Sequence, residues 1–191
     1  MNMTRRDLLQ NVAILLGGSI VGGSVFSLSG CKSTDKQVNA MFTESQVALM
    51  NEIADTILPA TSSPGAKEAN VGNFMSVMVF DCYTERDQQV FMEGLKKMDE
   101  LSDKQYGNSF AKATPTERTA LLTTLDKEQK DFQASKPKDE PSHYFRMMKE
   151  LSILGYFSSK EGATQALRYL PTPGKYDGSF PYKKGDKAWA T

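Results

Sequence analysis

The stretch FTESQVALMNEIADTILP, residues 42–59, decides the fold class. Val47, Met50, Ile53, Ala54 and Ile57 recur at spacings of three and four, which places them on one stripe of an α-helix. Thr43 followed three residues later by Gln46 makes a capping box at the start, and Pro59 cannot continue the helix. The same period returns along the chain. A second helix is predicted over about 66–79, after the turn ATSSPG, and a third over 85–102, with Phe91, Leu95, Met98 and Leu101 in register. A fourth opens with Thr114 as cap, Pro115 at the first helical position and Glu117 reaching back. A fifth spans about 142–157 with Tyr144, Phe145, Met148, Leu151 and Leu154, and a short sixth lies near 160–168. No segment alternates with period two and none repeats at a fixed period. The expectation is an all-α compact domain of five to six helices.

The last part differs in kind. Residues 170–191, LPTPGKYDGSFPYKKGDKAWAT, hold three prolines, three glycines and four aromatics. Proline and glycine forbid a helix, while large rings argue against a purely disordered tail. Those rings pack either on the chain's own helices or on another protein.

The N-terminus is unlike everything after it. Arg5 and Arg6 precede an uncharged apolar run dotted with Gly and Ser, which ends at Cys31. A basic start, a modest apolar stretch and a small-residue exit are the parts of an export signal. Gly17, Gly18, Gly22 and Gly23 each cost a helix about 1 kcal/mol relative to Ala, so a permanent membrane span is disfavoured. TRRDLLQ, residues 4–10, resembles the twin-arginine export signal, and LSGC, residues 28–31, resembles a bacterial lipobox. That pairing implies a signal over 1–30, lipid attachment at Cys31, a tether over 31–41 and a folded domain over 42–191, lipid-anchored on the periplasmic side of the cell envelope. Two or more acyl chains anchor a protein stably.

The mature length, about 160 residues, suits one domain. Basic and acidic residues balance at 23 each, which gives no reason to expect nucleic acid. Cys82 is expected as a small buried hydrophobe, and with Cys31 acylated no intrachain disulfide forms. His143 is the sole histidine. Without a second histidine, a cysteine pair or carboxylates at ligand spacing, no metal site and no catalytic constellation is expected. His143 reads as a capping or surface residue, and the methionines at helical spacing read as core filler rather than haem ligands.

Two separated stretches carry a family resemblance. IADTILPATSSPGAKEANVGNF, residues 53–74, and ELSILGYFSSKEGATQALRYLPTPGKYDGSFPYKKGDKAWA, residues 150–190, resemble the gluconate 2-dehydrogenase subunit 3 family. The resemblance implies a non-catalytic small subunit that binds no cofactor itself. It accompanies a large FAD-containing dehydrogenase of the glucose-methanol-choline type, with a cytochrome c subunit or another acceptor beyond it, through the twin-arginine translocon. A partner interface is then expected at Pro59, Pro64, Gly65 and Ala66, and at Tyr156, Phe157, Gly162, Arg168, Tyr169, Pro173, Gly174, Tyr176 and Trp189, with residues 170–191 as a clasp. Two other readings stay open at this point: a stand-alone envelope lipoprotein acting as scaffold or ligand-binding module, and a haem b carrier using His143.

Overall fold

A computed structural model of the chain describes residues 35–172 and 174–190. Arg5, Arg6, Cys31 and Pro173 lie outside the described residues, as does the boundary between signal and tether.

Among the described residues five α-helices follow one another: α1 Glu44–Ile57, α2 Val71–Cys82, α3 Glu85–Tyr106, α4 Pro115–Ser135 and α5 Tyr144–Ser158. A 3-10 turn, Phe110–Lys112, joins α3 to α4, and a π-helical turn, Gly162–Ala166, follows α5. Among the described residues, β-pairing is limited to two isolated bridges, Gln37 with Thr43 and Arg168 with Trp189. The domain is all-α, as expected.

The caps explain most boundaries. Thr43 and Gln46 form the capping box of α1, and Thr114, Pro115 and Glu117 open α4 as the sequence indicated. Helix α3 runs one turn beyond the expected end and stops where Gly107 takes a left-handed conformation, φ 70°, with its N–H on the Asp103 carbonyl at 2.7 Å. Helix α2 starts five residues later than expected, at Val71. Gly65 and the left-handed Asn70, φ 52°, bracket a set of turns that carries the chain round before the helix begins.

The late helix α5 is the hub and packs against all four others. It buries Phe145, Met148, Leu151 and Tyr156 into a core with Met50 and Ile53 of α1, Met75 and Val79 of α2, Phe91 and Met98 of α3, and Leu125 of α4. Met50, Met75, Met98 and Met148 fill the core. Phe42, ahead of α1, sits edge-on to Phe91 with ring centres 6.1 Å apart.

One expectation needs correction. Cys82 is exposed: it continues the Met75–Val79 stripe but is the last residue of α2, and the helix end carries it out of the packed core. The compact body begins at Lys36. Val38 N–H donates to the Phe42 carbonyl at 2.8 Å, and the Asn39 side-chain oxygen accepts from Met41 and Phe42 at 2.9 and 2.8 Å.

Candidate functional site

The turn after α1 is held by its own backbone. Ala66 N–H donates to the Leu58 carbonyl at 2.9 Å and closes the loop that starts at Pro59. A Cβ on Gly65 would lie 2.7 Å from the Ala60 nitrogen and 2.6 Å from the Asp55 carboxylate, so only glycine fits between the two arms. From α5, the Tyr156 hydroxyl donates to the Pro64 carbonyl at 2.6 Å and lies 3.3 Å from the Ser63 hydroxyl. Two stretches about ninety residues apart in the chain, both assigned to the interface from sequence, therefore meet.

They meet partly by burial. Gly65, Ala66, Tyr156 and Gly162 are buried in the chain itself and hold the shape of this region. Pro59 is exposed, and Phe157, edge-on to Tyr156 at 5.1 Å, reaches solvent beside the exposed Ile153 and Leu154 of α5. Removing the hydroxyl with Tyr156→Phe leaves the Pro64 carbonyl unpaired and is expected to cost about 1–2 kcal/mol. Urea unfolding of the two forms checks it.

Beyond the π-helical turn the chain crosses itself. Arg168 N–H donates to the Ala188 carbonyl at 2.8 Å and Ala190 N–H to the Arg168 carbonyl at 2.9 Å, which brings Trp189 beside Arg168. The Arg168 guanidinium lies 4.0 Å over the Trp189 ring and 5.3 Å from the Phe180 ring, and the two rings meet edge to face at 5.5 Å. Among the described residues no ion pair engages this guanidinium, and its Nε is buried without a hydrogen-bond partner. A cavity of about 590 Å³ opens beside these rings, bordered by Leu170, Lys175, Tyr176 and Asp177. Tyr176 is 96 % and Tyr182 73 % exposed, and Tyr169 is also largely open to solvent. Gly174, at φ 73° with open space around it, sets a turn in the exposed segment.

A second cavity, about 790 Å³, lies against His143, Tyr144, Lys97, Glu128 and Phe132. Its histidine is already engaged. His143 caps α5: its Nδ1 accepts from Phe145 N–H at 3.2 Å, and its Nε2 lies 3.5 Å from Glu128. Burial pushes the Tyr144 hydroxyl up to about 12, with the Glu128 charge adding to it. Burial likewise lowers the His143 pKa below its usual 6.5, against the opposing pull of Glu128. The unfolded chain therefore takes up this proton first. Stability is expected to be level above about pH 6.5 and to fall as the pH drops below it, until the folded histidine itself protonates and its cap bond breaks. Thermal midpoints between pH 7.5 and 5 should show this step, and His143→Asn, which keeps a cap acceptor without the titration, should flatten it. A haem iron bound here would have to displace one of these two contacts. Among the described residues no three His, Cys, Asp or Glu side chains cluster as a metal site would require.

Sequence reasoning missed three features. Glu52 of α1 pairs with both Arg118 of α4 and Lys67 of the turn. Partial burial raises the Glu52 pKa, but the hydrogen bonds from Lys67 and Arg118 outweigh it and hold the carboxyl below its usual value. Asn51 accepts from Gly72 N–H at 2.7 Å and locks α1 to α2. The Arg168–Trp189 stack had no signal at all, since neither periodicity nor spacing joins residues across an irregular loop.

A family model described as gluconate 2-dehydrogenase subunit 3 matches residues 44–174, from the first helix to the Pro-Gly turn after Arg168. No curated protein and no solved structure matches the chain.

Proposed function

The chain belongs to the gluconate 2-dehydrogenase subunit 3 family, and from that premise we propose that it is the non-catalytic small subunit of a membrane-tethered flavoprotein dehydrogenase. Membership makes it an accessory subunit of a dehydrogenase complex. The finer reading is that the large partner is of the glucose-methanol-choline type, holds FAD and oxidises sugars or sugar acids. A cytochrome c subunit or another acceptor then takes the electrons. The small subunit escorts the folded partner through the twin-arginine translocon, stabilises it and tethers it to the envelope through lipid on Cys31.

The observation that carries this reading is the outward-facing aromatic segment around Arg168. Tyr169, Tyr176, Tyr182 and Trp189 present rings to solvent, and the nearby guanidinium is stacked on Trp189 but carries no carboxylate among the described residues. Tyr, Trp and Arg are the side chains that anchor protein interfaces. The export signal adds support: a route for folded cargo serves a partner that acquires its cofactor in the cytoplasm.

A tagged chain solubilised in detergent should bring down a large protein with flavin absorbance. Cys31→Ser should release the dehydrogenase activity from the membrane fraction without loss of turnover. Replacing Arg5 and Arg6 together with Lys should leave both subunits in the cytoplasm. A chain that purifies alone from cells holding an intact partner would overturn the proposal.

A further inference from the structure

Helix α2, Val71–Cys82, sorts its side chains in a way that water alone does not favour. Ser76 is fully buried on the inner face, its hydroxyl on the Asn73 carbonyl at 2.8 Å, while Val77 is 46 % and Phe80 40 % exposed on the outer face. The incoming chain is pinned to this same helix. The Asn39 side-chain nitrogen donates to the Ser76 carbonyl at 3.2 Å, next to Val77, and the neighbouring Val38 is itself 41 % exposed.

The length of chain upstream of that pin says what covers this face. Only five peptide steps separate Cys31 from Lys36, where the compact body begins. Fully extended, they span at most roughly 17 Å. A lipid on Cys31 therefore leaves the body no room to float free, and it holds the end of the chain that is pinned to α2 nearest the bilayer. We propose that the outer face of α2, Val77 and Phe80 with Val38 beside the chain entry, rests on the lipid bilayer and fixes how the subunit stands on the membrane. The inference rests on the lipid anchoring proposed above. Asn73, exposed between Val77 and Phe80, and Asp81, exposed beside them, suit a shallow contact at headgroup level rather than insertion into the hydrocarbon.

The test uses the full acylated chain bound to vesicles of phosphatidylethanolamine and phosphatidylglycerol. A nitroxide is attached through Val77→Cys in a Cys82→Ser background. A control label is attached through Thr123→Cys on α4, a helix without extensive packing on α2. The label on α2 should collide several-fold more with dissolved oxygen than with a water-soluble nickel chelate, and the control label should show the reverse. An acylated, vesicle-bound chain whose α2 label meets the chelate as freely as the control overturns the membrane face while leaving the anchoring intact. A label shielded by the large subunit but not by vesicles assigns the face to a protein and overturns it equally. A mass spectrum without an acyl group on Cys31 overturns the anchoring reading and this one with it.

Discussion

Ending the chain after Leu170 should leave a folded helical domain that no longer holds its partner. Among the described residues, no residue beyond Gly162 is buried as a whole, and every core side chain belongs to residues 42–156. The tail's rings pack mainly on one another and on Arg168. Fully burying a large apolar side chain stabilises by roughly 1.5–3 kcal/mol, but these rings remain open to solvent and return little of it. The exposed cation–π stack adds about 0.5–1 kcal/mol. Helical circular dichroism should therefore persist, with a thermal midpoint lowered by only a few degrees at about 2–4 °C per kcal/mol. Co-purification of the flavoprotein should fall to background. Trp189→Ala and Arg168→Ala localise the effect. Each removes an anchor of the kind that costs at least about 2 kcal/mol, close to thirtyfold in affinity. A truncated subunit that unfolds on its own would show that the segment is core and not clasp.

The second large effect lies where α1 and α2 come closest. A Cβ on Gly72 would stand 2.5 Å from the Val47 carbonyl oxygen and 2.8 Å from the Asn51 nitrogen, both backbone atoms of α1. A flexible side chain could move aside, but two hydrogen-bonded helix backbones cannot. Gly72→Ala must push the helices apart, loosening the Asn51–Gly72 hydrogen bond and the Met50–Met75 core behind it. Overpacking typically costs 1–3 kcal/mol, and a backbone collision puts this site at about 3 kcal/mol or above. That is a large share of the 5–15 kcal/mol that holds a domain together, and the midpoint should drop by about 10 °C. Gly107→Ala makes the contrast. Open space surrounds that residue, and the cost is the left-handed backbone alone, about 1–2 kcal/mol. Equal losses at the two positions would refute the packing argument.

How much of this was legible depended on whether the signal was local. The stripe of Val47, Met50 and Ile53 and the Thr43 and Thr114 caps lie within a few residues of one another, and the structure follows them closely. The start of α2 was misplaced because Asn70 carries no local mark of its left-handed conformation. Cys82 was misjudged because it keeps the period of the buried stripe while the core it would join ends before the last turn of α2, a tertiary matter. At the site, sequence singled out both the Pro64–Gly65 turn and Tyr156 but not that one hydrogen bond joins them. Nor does it show that Gly65, Ala66, Tyr156 and Gly162 are buried within the chain. The resemblance marked Arg168 and the aromatic composition of the tail marked Trp189, but nothing along the chain pairs them.

The position of α5 as hub also governs the timing of biosynthesis. The helix that completes every other helix's contacts is the last one made, ending at Ser158. From the moment α1 is finished at Ile57, about a hundred further residues must be polymerised. At roughly 5–20 residues per second that takes about 5–20 s. Throughout that interval the apolar stripe of α1 has no α5 to cover it, and the nascent chain is a client for any holding chaperone. The proposed signal at the extreme N-terminus emerges at the very start of the same interval. An exporter that accepts only finished cargo would therefore see the address long before the parcel exists, and its quality control must read the body rather than the label.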